Sequence, residues 1–87
     1  MEMAFDPAKD AANIAKHGIS LARTSDFEPD VMFLDERRDY GEMRYRAVGR
    51  IDGVPHFLVF TMSPTTIRAI SLRRAHMKEY RRYVGSP

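Results

Sequence analysis

Two strand-like runs joined by Asp52-Gly53 constrain the fold of this chain more than any other feature of its sequence. Residues 43–51 alternate between a basic face and an apolar face, which is the period-two pattern of a β-strand. Residues 56–62 are apolar on both faces, as expected of a central strand. The Asp-Gly pair favours a type I′ turn, which needs positive φ at both positions. The sequence therefore predicts an antiparallel hairpin in the middle of the chain.

The stretch after the hairpin predicts a further strand that continues into a basic helix. Residues 66–72 are mainly β-branched and apolar around Arg68, which is typical of a strand. Met77, Tyr80 and Val84 then lie at helical spacing and predict one apolar stripe. Five basic residues occupy the junction and the helix: Arg73, Arg74, Lys78, Arg81 and Arg82. A basic helix after a strand that ends in arginines suits a polyanionic ligand.

The N-terminal part predicts two helices and a short strand. Asp6-Pro7 combines an N-cap with a proline at the first helical position, and Gly18 suits the left-handed residue that ends a helix. Ser20 is a second N-cap, and its short helix should stop before Pro29. The apolar run at 31–34 predicts a strand.

The predicted order is helix, helix, strand, strand, strand, strand, helix. Residues 35–41 form a charged loop that we expect to be solvated and mobile. Short turns between consecutive strands imply an α+β fold with an antiparallel sheet of about four strands, and we expect the helices on one of its faces. The two N-terminal helices, the sheet and the C-terminal helix make a single domain, 1–87.

Composition narrows the kinds of site that the chain can carry. Cysteine is absent, so a disulfide framework and a thiolate metal site are excluded. His17, His56 and His76 lie on three different predicted elements without a carboxylate pattern beside them, and no glycine-rich phosphate loop or nucleophile elbow appears. We therefore expect neither a metal nor a cofactor.

The sequence also favours a soluble cytoplasmic protein that does not enter a membrane. The longest apolar run, residues 57–60, is far too short to span a bilayer. The first six residues lack the basic and apolar regions of a signal peptide.

Charge is unevenly distributed although the net charge is only +2. Residues 1–43 carry five basic and ten acidic side chains, whereas residues 44–87 carry nine basic and two acidic ones. Such asymmetry indicates a nucleic-acid surface or an acidic protein partner. The alternative is two solvated faces that partly neutralise each other in the folded chain.

Arginine is the side chain most suited to binding such a partner, because guanidinium holds phosphate oxygens in a bidentate fork. Arg44, Arg46 and Arg50 share one face of the first hairpin strand, and we interpret Arg50, near the hairpin tip, as an ordinary exposed residue. Arg68 and Arg73 adjoin an apolar strand, which favours a functional role. A regular strand would place these two on opposite faces, so they share a site only if the strand ends or bulges between them.

Three ordered groups of residues cover nearly the whole chain and together resemble the BrnT family of bacterial toxins. They are Phe5-Asp6-Pro7, Lys9, Asn13, Lys16-His17-Gly18 and Ser20; then Glu42, Arg44, Gly49 and Thr61; then Arg68, Ile70-Ser71, Arg73, Ala75, Glu79 and Tyr83. Two positions depart from the family pattern. Phe5 stands where the family usually has tryptophan, and Ser63 where it often has arginine, so the resemblance carries no catalytic residue to position 63.

The resemblance implies a small RelE-like fold and a metal-independent endoribonuclease that cleaves RNA and inhibits translation. It implies a toxin of a type II toxin–antitoxin system, neutralised by a BrnA-type antitoxin, with promoter DNA bound only by the toxin–antitoxin complex. The alternative interpretation is a non-enzymatic module that binds nucleic acid or an acidic protein through its basic half.

Metal-independent RNA cleavage needs activation of the 2′-hydroxyl, stabilisation of extra phosphate charge and a proton for the leaving oxygen. We assign phosphate binding and charge stabilisation to Arg44, Arg68 and Arg73. His17 is the first candidate for acid–base catalysis, because imidazole titrates near pH 6.5. Glu79 is the second candidate.

A second set of basic residues is expected to bind the RNA backbone rather than to take part in the chemistry: Arg46, Arg74 and Lys78. For His17 a structural alternative stays open, because a positive side chain in the last turn of a helix also suits the helix dipole.

Overall fold

The computed structural model describes residues 1–85 as one five-stranded sheet with helices on both faces. In chain order the elements are β1 (Glu2–Ala4), α1 (Pro7–His17), a 3₁₀ helix (Leu21–Asp26), β2 (Glu28–Leu34), β3 (Tyr45–Ile51), β4 (Val54–Met62), β5 (Thr66–Arg74) and α2 (Met77–Val84). The spatial order of the strands is β1-β5-β4-β3-β2. The α+β class predicted from the sequence is confirmed.

Strands β2 to β5 are antiparallel neighbours, as predicted, but the sheet has a fifth strand that the sequence did not indicate. Strand β1 pairs in parallel with β5, from Glu2 opposite Thr66 to Ala4 opposite Arg68. A three-residue strand is too short to show a period, and its register is set by the backbone of β5. The predicted count of about four strands is therefore wrong by one.

Two further boundaries differ from the prediction. The second helix is a 3₁₀ helix rather than an α-helix, although Ser20 caps it as expected by accepting a hydrogen bond from the Ala22 N–H. Strand β2 begins at Glu28 and includes Pro29. Proline is tolerated there because β2 is an edge strand.

The central hairpin is confirmed. Asp52 has φ of 51° and Gly53 has φ of 76°, and Ile51 pairs with Val54 across the turn. Glycine is also required at position 49 for close approach of the neighbouring strand, since a Cβ there would lie 2.1 Å from the Glu28 carbonyl oxygen. These features fix the register of β3 between β2 and β4.

One face of the sheet carries the main core. Leu58, Phe60, Ala69 and Leu72 point to this face and pack with Leu21 of the 3₁₀ helix. Each is less than about a tenth exposed, which makes this cluster the main hydrophobic source of stability.

Helix α2 packs on the opposite face, so the prediction that all helices share one face is wrong. The Tyr83 ring stacks on Phe33 with centroids 5.4 Å apart and meets Phe57 edge-on at 5.4 Å. The predicted apolar stripe is also wrong in part, because Met77 and Val84 are exposed. The stripe fails because aromatic tyrosine rings, rather than the aliphatic side chains, reach the sheet.

Helix α1 lies along the edge of β5 beyond the short strand β1. Its predicted caps are confirmed: the Asp6 carboxylate accepts from the Ala8 N–H at 2.8 Å, and Gly18 has φ of 72°. The buried Asn13 side chain donates to the Leu72 carbonyl at 2.8 Å and accepts from the Leu72 N–H at 3.1 Å. Asn13 thus supplies the hydrogen bonds that a neighbouring strand would make, and docks α1 on β5.

The bulge that Arg68 and Arg73 need in order to share a face is present. In the pairing of β4 with β5, Phe60 lies opposite Ala69 whereas Val59 lies opposite Ser71. Ile70 is therefore the extra residue, and it shifts the alternation of side chains by one. Arg68 and Arg73 consequently lie on the same face of the sheet.

None of the helices within residues 1–85 combines the length and the apolar character needed to cross a membrane.

Candidate functional site

A basic cleft of about 260 Å³ opens between the end of α1, the loop after β2 and the sheet face that carries α2. Six basic or imidazole side chains and four other residues line it: Lys16, His17, Arg37, Arg44, Arg46 and Arg73, with Phe57, Val59, Ile70 and Ser71. None of these lining residues is acidic. Such a concentration of positive charge over low-dielectric walls attracts an anion.

Arg73 lies near the end of β5 and is held in one orientation by Glu79 of α2. Its two terminal nitrogens donate to the two Glu79 carboxylate oxygens at 2.9 Å each. Its guanidinium also lies 4.9 Å from the centre of the Phe57 ring. This ion pair lowers the pKa of Glu79 and raises that of Arg73, so both groups stay ionised at neutral pH.

Arg46 extends from β3 into a set of aromatic rings. Its guanidinium carbon lies 4.5 Å from the centre of Phe57, 5.3 Å from Phe33 and 5.8 Å from Tyr83. Its Nε is buried and has no hydrogen-bond partner within residues 1–85. Arg46 is thus positioned by ring faces rather than by a carboxylate, so within the described residues no carboxylate neutralises its charge.

Arg44 precedes β3 and rests on an aromatic platform. Its guanidinium carbon lies 4.2 Å from the centre of the Tyr40 ring, and its Nε is 3.6 Å from a Glu42 carboxylate oxygen. Among the described residues this Nε also lacks a hydrogen-bond partner. The long distance to Glu42 makes that ion pair weak and leaves Arg44 able to turn toward a ligand.

The loop after β2 is organised by the buried carboxylate of Asp35, while residues 36–39 are exposed, as expected of a solvated segment. Arg37 donates to both Asp35 oxygens at 2.8 Å, its backbone N–H donates at 3.2 Å, and the Tyr40 hydroxyl donates at 3.1 Å. These donors hold the pKa of Asp35 well below its usual range. The carboxylate therefore stays charged and fixes Arg37 and Tyr40 beside the cleft.

His17 is the last residue of α1 and lines the cleft together with Ser71 and Arg73. Burial lowers the pKa of His17, and the positive charges of Lys16 and Arg73 lower it further. The imidazole is consequently neutral at physiological pH, so one ring nitrogen can accept a proton. Asn13, whose hydrogen bonds dock α1 on β5, lies one turn earlier in the helix.

Three predicted residues lie outside the cleft. Arg68 shares the face of Arg73, but their β4 partners Thr61 and Phe57 are four positions apart, or roughly 13 Å along the strand. Arg74 and Lys78 are exposed and do not line the cleft. The structure thus groups His17, Arg44, Arg46 and Arg73, with Glu79 paired behind Arg73.

The other histidines and Arg50 have structural surroundings. His56 is buried, and its Nδ1 lies 2.7 Å from the Val54 carbonyl oxygen. His76 directly precedes α2. Arg50 forms a bidentate ion pair with Asp30 at 3.0 and 3.1 Å. Within residues 1–85 there is no group of three His, Asp or Glu side chains arranged to hold a metal ion.

Sequence reasoning missed Lys16, Arg37, Asp35 and Tyr40. Lys16 could have been identified as the neighbour of His17 in the sequence. Residues 35–40 lie in a loop, where no periodic pattern indicates how side chains are arranged. The two departures from the family pattern have structural surroundings in this chain. Phe5 packs against the core, and the Ser63 hydroxyl accepts from the Thr66 N–H at 3.1 Å in the β4–β5 turn.

The fold and the cleft define a small α+β protein with an arginine-rich cleft beside a neutral histidine. Residues 5–79 match the family described as the ribonuclease toxin, BrnT, of type II toxin–antitoxin systems. The chain belongs to this BrnT family of ribonuclease toxins.

A solved structure agrees with this assignment. The chain is similar to the crystal structure of the Brucella abortus ribonuclease toxin BrnT, with a TM-score of 0.67 and 25% sequence identity. The similarity covers 88% of this chain and 99% of the Brucella chain. None of the curated proteins matches.

Proposed function

We propose that this protein is a metal-independent endoribonuclease that cleaves RNA in the basic cleft. The observation that carries the proposal is the convergence of Arg44, Arg46 and Arg73 beside His17, without an acidic lining residue, in a chain of a ribonuclease toxin family. A phosphodiester is the anion that this arrangement suits, because guanidinium groups bind its oxygens and oppose charge that develops on them.

The neutral imidazole of His17 is the general base. It takes the proton of a ribose 2′-hydroxyl, whose oxygen attacks the adjacent phosphorus and forms a 2′,3′-cyclic phosphate. The bond from phosphorus to the 5′-oxygen breaks, and the departing oxygen takes up a proton from water in the open cleft. Every group that takes part in these reaction steps belongs to the protein, the RNA or the solvent, so the proposed reaction does not require a metal.

The arginines divide the remaining work. Arg73, oriented by its ion pair with Glu79, stabilises the extra negative charge at phosphorus, and Arg44 and Arg46 bind the phosphate oxygens. Glu79 orients Arg73 instead of donating a proton, because its lowered pKa keeps it ionised. Arg68, Arg74 and Lys78 are left to contact the RNA backbone at a distance from the reacting phosphate.

Cleavage of cellular RNA by this site inhibits translation, and a BrnA-type antitoxin neutralises it by covering the cleft. Promoter DNA is bound only by the complex of the two proteins. The cell compartment of this activity is the cytoplasm, where both RNA and the antitoxin are available.

The test is incubation of pure protein with RNA in excess EDTA, comparing the parent with Arg46→Lys, Arg73→Ala and Arg50→Lys. Arg46→Lys keeps the charge but loses the planar fork that stacks on three rings, and Arg73→Ala removes a charge-stabilising donor. We expect rates reduced roughly 10-fold or more for the first and 100-fold or more for the second.

Arg50→Lys is the matched control, because Arg50 shares the strand and the sheet face of Arg46 but lies outside the cleft. It should cleave RNA at about the parental rate. Activity that disappears in EDTA and returns with a divalent ion would contradict metal independence. A parental rate in Arg73→Ala would contradict the assignment of the site.

A further inference from the structure

A second cleft adjoins the basic cleft at Arg37. It has a volume of about 370 Å³ and is lined by Arg37, Arg38 and Tyr40, and Arg37 also lines the first cleft. The two depressions therefore meet at one side chain. Nothing in the proposed chemistry uses Arg38, or the part of Tyr40 that faces this second cleft.

The Tyr40 ring is held in a fixed position. Its hydroxyl donates to the buried Asp35 carboxylate at 3.1 Å, and the Arg44 guanidinium covers one ring face at 4.2 Å. The turn that follows is fixed as well, because the Asp39 carboxylate accepts from the N–H of Gly41, whose φ is 71°. The conformational entropy of the ring is thus lost on folding, not on binding of a ligand.

The chemistry of this cleft is that of a single-stranded RNA subsite. Aromatic rings bind nucleobases by stacking, and guanidinium groups contribute by stacking on bases and by binding phosphate. A fixed tyrosine ring that lines one cleft together with two exposed arginines provides both elements next to the phosphate site. An ordinary solvated loop would not need a buried carboxylate to position its tyrosine.

We propose that Tyr40, with Arg37 and Arg38, forms a subsite for the base of a nucleotide next to the cleaved phosphate. The base stacks on the Tyr40 ring where it lines the second cleft, and Arg38 contacts the adjoining backbone. This subsite rests on the proposed function and gives the enzyme its preference for RNA that is single-stranded at the cleavage site.

The test measures binding rather than cleavage, so that it does not depend on the catalytic residues. Cleavage sites are first mapped on a long RNA, and a short RNA is then built around one mapped bond. A 2′-deoxy sugar at the nucleophilic position prevents cleavage. Versions that lack the base at either flanking nucleotide are compared with the intact oligonucleotide, for the parent and for Tyr40→Leu, Tyr40→Phe and Tyr40→Trp.

Loss of one flanking base should weaken binding to the parent by roughly 5- to 150-fold, the range for one base stacked on an aromatic ring. In Tyr40→Leu the intact RNA should bind as weakly as the baseless RNA, so the ratio of the two dissociation constants falls to about one. Tyr40→Phe and Tyr40→Trp retain a ring and should retain the ratio. If Tyr40 acts only by supporting Arg44, Tyr40→Leu should instead weaken binding of the intact and the baseless RNA equally.

Three outcomes would overturn the subsite. In the first, the parent binds both baseless oligonucleotides as tightly as the intact one. In the second, Tyr40→Leu keeps the parental ratio. In the third, Tyr40→Leu would weaken binding of the antitoxin protein while leaving the base effect unchanged, which would assign the surface to a protein partner. Failure of the parent to bind any RNA would reject the proposed function itself, which separates the two failures.

Discussion

Arg46 and Arg73 are two arginines of the same cleft that are held in place by different kinds of contact. Arg73 is fixed by two short hydrogen bonds to Glu79, whereas Arg46 is fixed by three aromatic rings and has no carboxylate partner within the described residues. A carboxylate partner removes part of the charge that a phosphate would otherwise meet, and ring faces do not. At the scale of single residues, we therefore expect Arg46 to contribute strongly to RNA affinity.

His17 provides a prediction about pH. A general base must be neutral, so the cleavage rate should fall as the pH drops through its pKa and should be level above it. Because burial and the charges of Lys16 and Arg73 lower this pKa, the midpoint should lie below the ordinary value near 6.5. Lys16→Gln removes one repelling charge and should move the midpoint to higher pH.

The measurement is a single-turnover pH–rate profile. Lys9→Gln is the control on the same helix, since Lys9 is not among the causes of the lowered pKa of His17. His17→Gln should lose most of the rate together with its acidic limb. An acidic limb that persists unchanged in His17→Gln would assign the titration to another group.

Asp35 provides a prediction about stability. Its lowered pKa means that the unfolded chain binds more protons at this position, so its contribution is complete above about pH 4 and is lost as the pH falls further. Asp35→Asn should destabilise the protein by about 1–3 kcal/mol at pH 7, because donors that faced a carboxylate lose their partner. The difference from the parent should shrink at pH 3, as shown by chemical denaturation at both pH values. A difference that does not change with pH would contradict this role.

Among the elements, the sequence predicts those that have a local pattern and does not predict features that depend on distant segments. The alternation in β3 and the turn at Asp52-Gly53 are local, and both are confirmed. The parallel pairing of β1 depends on contacts between segments more than 60 residues apart. The bulge at Ile70 depends on the register of β5 against β4. No local pattern encodes either feature. The same limit applies to the site: the sequence identified Arg44, Arg46, Arg73 and His17, but neither Arg37 nor which of these residues meet.

Asn13 provides a prediction about the docking of an element. Asn13→Ala leaves the N–H and the carbonyl of Leu72 without partners, which should cost about 2–4 kcal/mol. It should also lower the cleavage rate of the molecules that remain folded, since His17 is one turn further along α1. Thermal unfolding and single-turnover cleavage well below the midpoint measure the two effects separately.

The control for Asn13 is Ala15→Gly on the exposed side of the same helix. It weakens α1 by up to about 1 kcal/mol without touching the contact with β5. This variant should keep the parental cleavage rate. If both variants lose activity in proportion to stability, the docking contact has no separate effect on the site.

In the whole molecule, the fold places many of the basic residues of the C-terminal half on one face of the sheet. The basic cleft opens on the face that carries α2, and α2 exposes further cations: Lys78, Arg81 and Arg82. Acidic residues such as Asp30 and Asp35 are used in ion pairs around this face. An incoming polyanion or acidic segment therefore meets positive charge on α2 as well as in the cleft.

The last prediction concerns association with the antitoxin through this field. Charge reversal at Arg74, Lys78 and Arg81 should slow association at least 10-fold at low salt and flatten its dependence on ionic strength. Dissociation should change less, because these exposed side chains steer the encounter from outside the cleft. Stopped-flow binding in a salt series measures both rates. The matched control compares two single charge reversals, Lys78→Glu on α2 and Lys9→Glu on α1. An association rate at low salt that equals that of the parent would show that α2 is not the steering surface, and the antitoxin would then have to approach the cleft from the side of Arg37 and Arg38.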